Sequence, residues 1–325
     1  MNASRYAFIH AKMHGLMAKA FFDERLKFLT KIANLLELSQ ALFPGSPPPA
    51  GEAELVSRVQ RKFEASVIAT LLRLLDLFPE PPPLLVHLVR EYDYRNLLTL
   101  LREKFSGLTN IRLWNIGKYS LFEASGPENF PRMLANTRFE KYIALMESHS
   151  LAELEFEAGR QYYEELTACA RALPSAEKRL ILPLLKTELL LENLVWALRL
   201  RFYFRMGFEE AKEKLFPLDF FNPAERVRPV FELSPESPKD WESLGFRDVF
   251  SAERGGVIDP PVIEARAGRY LYRKFRRVFY SRPFTLASVY AFFRIKKHEA
   301  RLVTSVSEGI SMNIGAQEME EALGV

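Results

Sequence analysis

The chain has 325 residues, enough for one large domain or two or three modules. With 48% hydrophobic residues, among them 26 Phe and 12 Tyr, a sizeable core is available and disorder is not expected. Forty-five basic against 41 acidic residues leave a net charge of +4, without the clustering that nucleic-acid binding needs, and a single cysteine, Cys169, excludes internal disulfides and cysteine-rich zinc sites.

The opening "MNASRYAFIHAKMHGLMAKAFF" is interrupted by His10, Lys12, His14 and Lys19, so it lacks the apolar core of a signal peptide. Amphipathic spacing predicts helix over about 5–43 and 52–78, separated by the breaker "PGSPPPAG" at 44–51. A longer helix follows in "PPPLLVHLVREYDYRNLLTLLREKFSG", residues 81–107. Its prolines suit a helix start and Gly107 a helix stop. At 100° per residue Leu85, Leu88, Val89, Tyr92, Asn96 and Leu100 share one face.

After a breaker at 124–131, helical spacing returns over 132–149 and 152–173. The stretch 184–215, "LLKTELLLENLVWALRLRFYFRMGFEEAKEKL", repeats the pattern of 81–107. Leu182, Leu189, Trp196, Ala197, Leu200 and Phe204 share a face with Asn193, while Leu191, Leu194, Val195 and Leu198 cover the other side. This helix is apolar nearly all round, closed by Gly207, and is predicted to be the most central. The proline-rich 221–246 reads as loop, 262–280 as helix, and 283–323 as a third copy. Its helix runs from about Phe284 to Glu308, is stopped by Gly309, and carries Ile295, Leu302 and Val306 as its stripe. Its longest uncharged run, 283–293, is too short to span a bilayer.

Asn96, Asn193 and Leu302 occupy the matching place in the three copies, at spacings of 97 and 109 residues. No run of period two bounded by a hairpin turn appears, so the fold class is all-α. Three quasi-repeated helical subdomains are expected, at 1–115, 116–225 and 226–325, in a pseudo-threefold arrangement without a single catalytic pocket.

Enzymatic chemistry is missing from the sequence. "NIGKY" at 115–119 offers Gly-Lys without a phosphate loop, His298-Glu299 lacks the second zinc-binding histidine, and no G-x-S-x-G or G-x-G-x-x-G exists. His10 and His14 alone have i, i+4 spacing, two donors without a third ligand. We therefore expect no enzymatic activity, cofactor, metal or small-molecule substrate.

Two charge features stand out. In "RYLYRKFRRVFYSR", Arg269, Arg273, Arg276 and Arg277 lie along one flank, opposite Leu271, Phe275 and Phe279. This is a solvated face or a docking strip for an acidic partner or anionic headgroups. Because the aromatics fall on the apolar side, nucleic acid is not expected as a partner. Polar residues also sit on or beside the apolar stripes: Asp93 with Asn96, Glu188 and Glu192 near Asn193, and Glu299. A buried polar group without a partner costs about 1–3 kcal/mol, so these are expected to crosslink helices.

The third copy, "YAFFRIKKHEARLVTSVSEG", resembles the C subunit of bacterial and archaeal V/A-type rotary ATPases, called the d subunit in eukaryotes. Tyr290, Lys297, Glu299, Glu308 and Gly309 match that family's pattern, whereas His298 and Leu302 stand where Glu and Asn are usual. The first copy carries the similar Glu-x-Asp-x-x-Asn-Leu at Glu91, Asp93, Asn96 and Leu97. The second keeps Asn193-Leu194 with Leu190 in place of the acid, and "RYAFIHAKMHGL" is similar to the family's start. The likeness covers almost the whole length.

What the resemblance implies is a funnel or collar of three similar helical subdomains on the cytoplasmic mouth of the membrane proteolipid ring, receiving the central shaft of the soluble head. Such a central-stalk (rotor) protein is non-catalytic and couples head to ring for ATP-linked proton or sodium transport. It is peripheral on the cytoplasmic face of the membrane. The alternative from a different class is a helical-repeat adaptor for soluble partners. Such adaptors recur at about 34–47 residues, a period the sequence does not show.

Overall fold

The computed structural model describes residues 3–45, 55–107, 112–122, 130–216, 222–250 and 258–324. Among the described residues there are helices and no strands. The helices are α1 (Ala3–Met17), α2 (Glu24–Thr30), α3 (Leu35–Leu42), α4 (Leu55–Leu75), α5 (Pro83–Ser106), α6 (Phe130–Leu134), α7 (Lys141–Leu145) and α8 (Leu151–Arg171). They continue with α9 (Ser175–Phe202), α10 (Phe208–Ala211), α11 (Pro223–Glu232), α12 (Pro238–Trp241), α13 (Arg247–Phe250), α14 (Pro260–Ser281), α15 (Leu286–Ser311) and α16 (Ala316–Leu323).

Several boundaries follow from local chemistry. Pro83 starts α5, and Gly107 ends it at φ 67, the left-handed position that a residue without a Cβ takes freely. Ser150 and Glu153 form a reciprocal capping box before α8, satisfying two backbone N–H groups that the first turn leaves unpaired. The predicted single stretch 5–43 is three helices. Asp23 at φ 50 breaks it, and Asn34 caps the third by accepting the Glu37 N–H at 3.0 Å. Likewise 132–149 splits at Asn136, φ 60, into α6 and α7.

Other expectations need correction. The region 221–246 is not simply loop: α11 and α12 form there, with Pro223 and Pro238 as first helical residues, where a missing N–H removes no bond. Helix α9 starts at Ser175, passes through Pro183, and ends at Phe202 rather than Gly207, which leaves Phe204 exposed. Gly309 does not stop α15 but lies inside it. Of the predicted breakers, 46–51 and 124–129 lie outside the described residues, while Phe130 and Pro131 at the end of the second already belong to α6.

The chain divides into two compact units. The first comprises residues 1–70, 194–207 and 226–325, and α15 is its core element. Helix α15 buries 20 of its 26 residues, and α1, α2, α3, α14 and α16 pack against it. It, and not α9, is the most continuously buried helix. Its charged run "RIKKHE" disguises this, since Arg294, Lys296, Lys297 and Glu299 are all buried. The second unit comprises residues 71–193 and 208–225. Its axis is the pair α5–α8, antiparallel because Glu91 meets Tyr162 while Arg102 meets Glu155. Every predicted face residue of α5 is buried. Both α4 and α9 contribute residues to each unit.

Candidate functional site

The inward-facing asparagines perform one task twice. Asn96 on α5 is buried; its amide Nδ2 donates to the Trp114 carbonyl at 2.8 Å, while the Trp114 N–H donates to Oδ1 at 2.7 Å. Asn193 on α9 treats Phe216 in the same way, donating to its carbonyl at 3.1 Å and accepting its N–H at 2.8 Å. In each case a side-chain amide imitates a backbone partner for an aromatic residue, 18 or 23 positions downstream, on the segment returning past the helix. Leu302 cannot do this. In the third copy Met319 of α16 instead rests on Gly309, where an added Cβ would lie 2.5 Å from its sulfur. Beside Asn193 on α9, Glu188 is buried and Glu192 half-buried.

Asp93 serves the same return segment as Asn96. Its Oδ1 accepts the Ser120 hydroxyl at 2.8 Å and its Oδ2 the Leu121 N–H at 2.7 Å. Arg90 Nε adds a bond to the Tyr119 carbonyl at 3.0 Å. Asp93 and Asn96 therefore grip a backbone rather than each other or a neighbouring helix, which corrects the expectation of helix-to-helix crosslinks. Burial pushes the Asp93 carboxyl up to about 6, against the pull of the Leu121 N–H, the Ser120 hydroxyl and Arg90.

Glu91 lies half-buried, accepting the Tyr162 hydroxyl at 3.0 Å and pairing with Arg95 at 3.3 Å. Buried His87 on α5 bonds the Tyr162 carbonyl through Nε2 at 2.9 Å, and burial lowers it to about 4.

The third-copy residues lie in the first unit. Glu299 is buried, accepting the Phe21 N–H at 2.8 Å through Oε1 and pairing with buried Lys296 through Oε2. Lys297 is also buried, while Glu308 is exposed and accepts Gln60 Nε2 at 3.3 Å. Gln60 also donates to Ser307 Oγ at 2.9 Å. No local pattern points to Gln60, because its partners lie 244–248 residues away. Lys296 is detectable in principle from its i, i+3 spacing to Glu299.

The arginine strip divides. Arg269, Arg273 and Arg276 line a cleft of about 900 Å³ in the first unit; Arg277 lies exposed and outside its lining. Arg276 pairs with Asp23 at 3.1 Å and Arg273 with Asp248 at 3.6 Å. Phe22, Tyr272 and His298 stack along one wall, with ring centroids 4.4 Å apart for Phe22–Tyr272 and 5.4 Å for Tyr272–His298. Burial, with Arg301 and Arg269 nearby, pushes His298 down to about 3, so its ring is neutral and packs as an aromatic. The cleft also takes in Glu318 and Glu321 from α16, so arginines and carboxylates share its lining.

Cys169 is half-buried, which raises its thiol pKa. His10 and His14 meet each other and the ring of Phe279. Among the described residues no three or more His, Cys, Asp or Glu side chains converge as a metal site, and no helix is long and apolar enough to cross a membrane.

Against known proteins, a model of the ATP synthase (C/AC39) subunit family matches residues 9–322. The chain is 28% identical over 333 residues to an uncharacterized protein of Treponema pallidum (strain Nichols), covering 98% of this chain and 96% of that one. It is 22% identical over 343 residues to the C subunit of the A-type ATP synthase of Pyrococcus horikoshii, covering 98% of this chain and 90% of the relative.

Proposed function

Since the chain belongs to the ATP synthase (C/AC39) subunit family, we propose that it is a non-catalytic central-stalk component of a V/A-type ATPase or ATP synthase. In this reading it couples the rotating shaft of the soluble head to the membrane proteolipid ring for ATP-linked ion transport, from the cytoplasmic face. The observation that carries the reading is the family match across 9–322. The fold supports it physically. Buried polar clamps at Asn96, Asn193 and Glu299 tie helices to distant backbone, and native-density helical packing resists deformation, as a torque-transmitting part must.

Three helical subdomains, at 1–115, 116–225 and 226–325, arranged with pseudo-threefold symmetry as a collar, form part of the proposal. The recurrence of the asparagine clamp in the first two supports it. The test is purification of the tagged chain from native membranes in mild detergent. Recovery of head-shaft components and proteolipid is the expected result. Reproducible recovery of the chain with neither would overturn the reading.

A further inference from the structure

The turn from α14 to α15 presents aromatic rings to solvent in a way the core does not require. Phe284 sits at φ 61, a left-handed conformation that a bulky residue adopts only under constraint, and its side chain is 53% exposed. Tyr280, one turn earlier, is 51% exposed. Both rings are propped from beneath by α1. His10 meets Phe284 edge-on at 5.1 Å, and His14 meets Tyr280 at 5.5 Å. His10 itself stacks on buried Phe279. On α1 Phe8 is also exposed, with the Lys12 ammonium over its ring at 5.2 Å.

The two segments that carry these rings hold cations and no carboxylates. Neither residues 3–22 nor residues 265–298 contain an Asp or Glu, so both segments of this tip are free of acids. Arg277 and Arg282 flank Tyr280 and are exposed. Carboxylates do reach α14 on its cleft side, where Asp248 and Asp23 pair with Arg273 and Arg276 and where Glu318 and Glu321 share the lining.

We infer that this tip, formed by α1 and the α14–α15 turn, contacts the surface of an anionic phospholipid membrane. Tyr and Phe rings protruding from a turn enter the headgroup layer, where amphipathic aromatics are favoured. Arginines beside them are attracted by the negative surface potential. A purely acidic peptide would satisfy the charge but offers no apolar surface to the protruding rings. The inference goes beyond the coupling role and is independent of it. Failure to recover ATPase partners would leave it standing, and failure to bind lipid would leave the coupling reading standing.

The experiment is flotation of the purified full-length chain with vesicles of phosphatidylcholine alone or mixed with phosphatidylglycerol. Binding is expected only to the anionic vesicles. Arg277→Gln and Arg282→Gln should each weaken it by about fivefold, the effect of one cationic side chain near such a surface. Phe284→Gly, which suits a positive φ, should keep the helical circular dichroism of the parent while lowering vesicle binding by about tenfold. Equal binding to neutral vesicles, no binding to anionic ones, or undiminished binding by Phe284→Gly would each overturn the inference. So would capture of a polyglutamate peptide with the same sensitivity to these variants but no vesicle binding.

Discussion

Asn96 and Asn193 are nearly sealed from solvent, and each satisfies both the N–H and the carbonyl of an aromatic residue on a returning segment. Replacing either with Leu would leave two backbone groups without partners, and we predict a loss of about 1–3 kcal/mol in urea unfolding for each variant. A change below about 0.5 kcal/mol would mean that water replaces the amide. Asp93 and His87 make opposite pH predictions. Burial raises Asp93 to about 6, so its contribution to stability is full below the unfolded pKa near 4 and is lost as pH rises through 6. Burial lowers His87 to about 4, so its contribution is present above about 6.5 and is lost as pH falls toward 4. The two trends offset each other between about pH 4 and 6. In Asp93→Asn, stability measured by urea midpoints should therefore rise more steeply with pH over that window than in the parent chain.

At the scale of single elements, the periodic faces of α5 and α8 are directly legible, because their apolar stripes are continuous and their ends carry strong signals. The capping box of α8 is the simplest such signal. Ser150→Ala should lower thermal stability by about 1 kcal/mol, and a neutral outcome would show that Glu153 alone suffices. Helix α15 is harder to read, since a run of arginine, lysine and glutamate looks solvated until the partners are seen. Its acid is tolerated in the interior because Glu299 takes one N–H from Phe21 and one ammonium from Lys296. Glu299→Ala should be destabilising by about 3–5 kcal/mol in urea unfolding, as it strands a buried lysine, whereas the Glu299→Ala/Lys296→Met pair should recover much of that loss. Gly309 reads as a stop in sequence and is a seat for Met319 in the fold, because the space a side chain would fill is already taken.

For the whole molecule, the first unit is assembled from three separated stretches of chain, 1–70, 194–207 and 226–325. Helix α15 is covered by α1, α2 and α3 as well as by its sequence neighbours α14 and α16. Residues 226–325 expressed alone should therefore lack a cooperative thermal transition by circular dichroism. Co-expression with residues 1–75 should restore helicity and solubility, at least in part. A fully folded isolated fragment would show that the buried face of α15 can be covered from within the last hundred residues.

Local and repetitive features are written in the chain itself. The all-helical class follows from spacing, and the ends of α5 from its prolines and Gly107, whereas the Ser150–Glu153 cap of α8 is present in the sequence but becomes evident only in the fold. Position on or beside an apolar stripe predicts a structural role for Asp93, Asn96, Asn193 and Glu299, because a buried polar group must find a partner. Which partner it finds is settled only by the folded arrangement. Gln60, Phe21 and Asp23 meet residues roughly 240–280 positions away, and helical periodicity carries no information at that range. The same distance explains why α9 looks more central than α15 in sequence. Hydropathy treats a charged side chain as if it faced water, and the pairing that makes its burial tolerable comes in part from elements far along the chain.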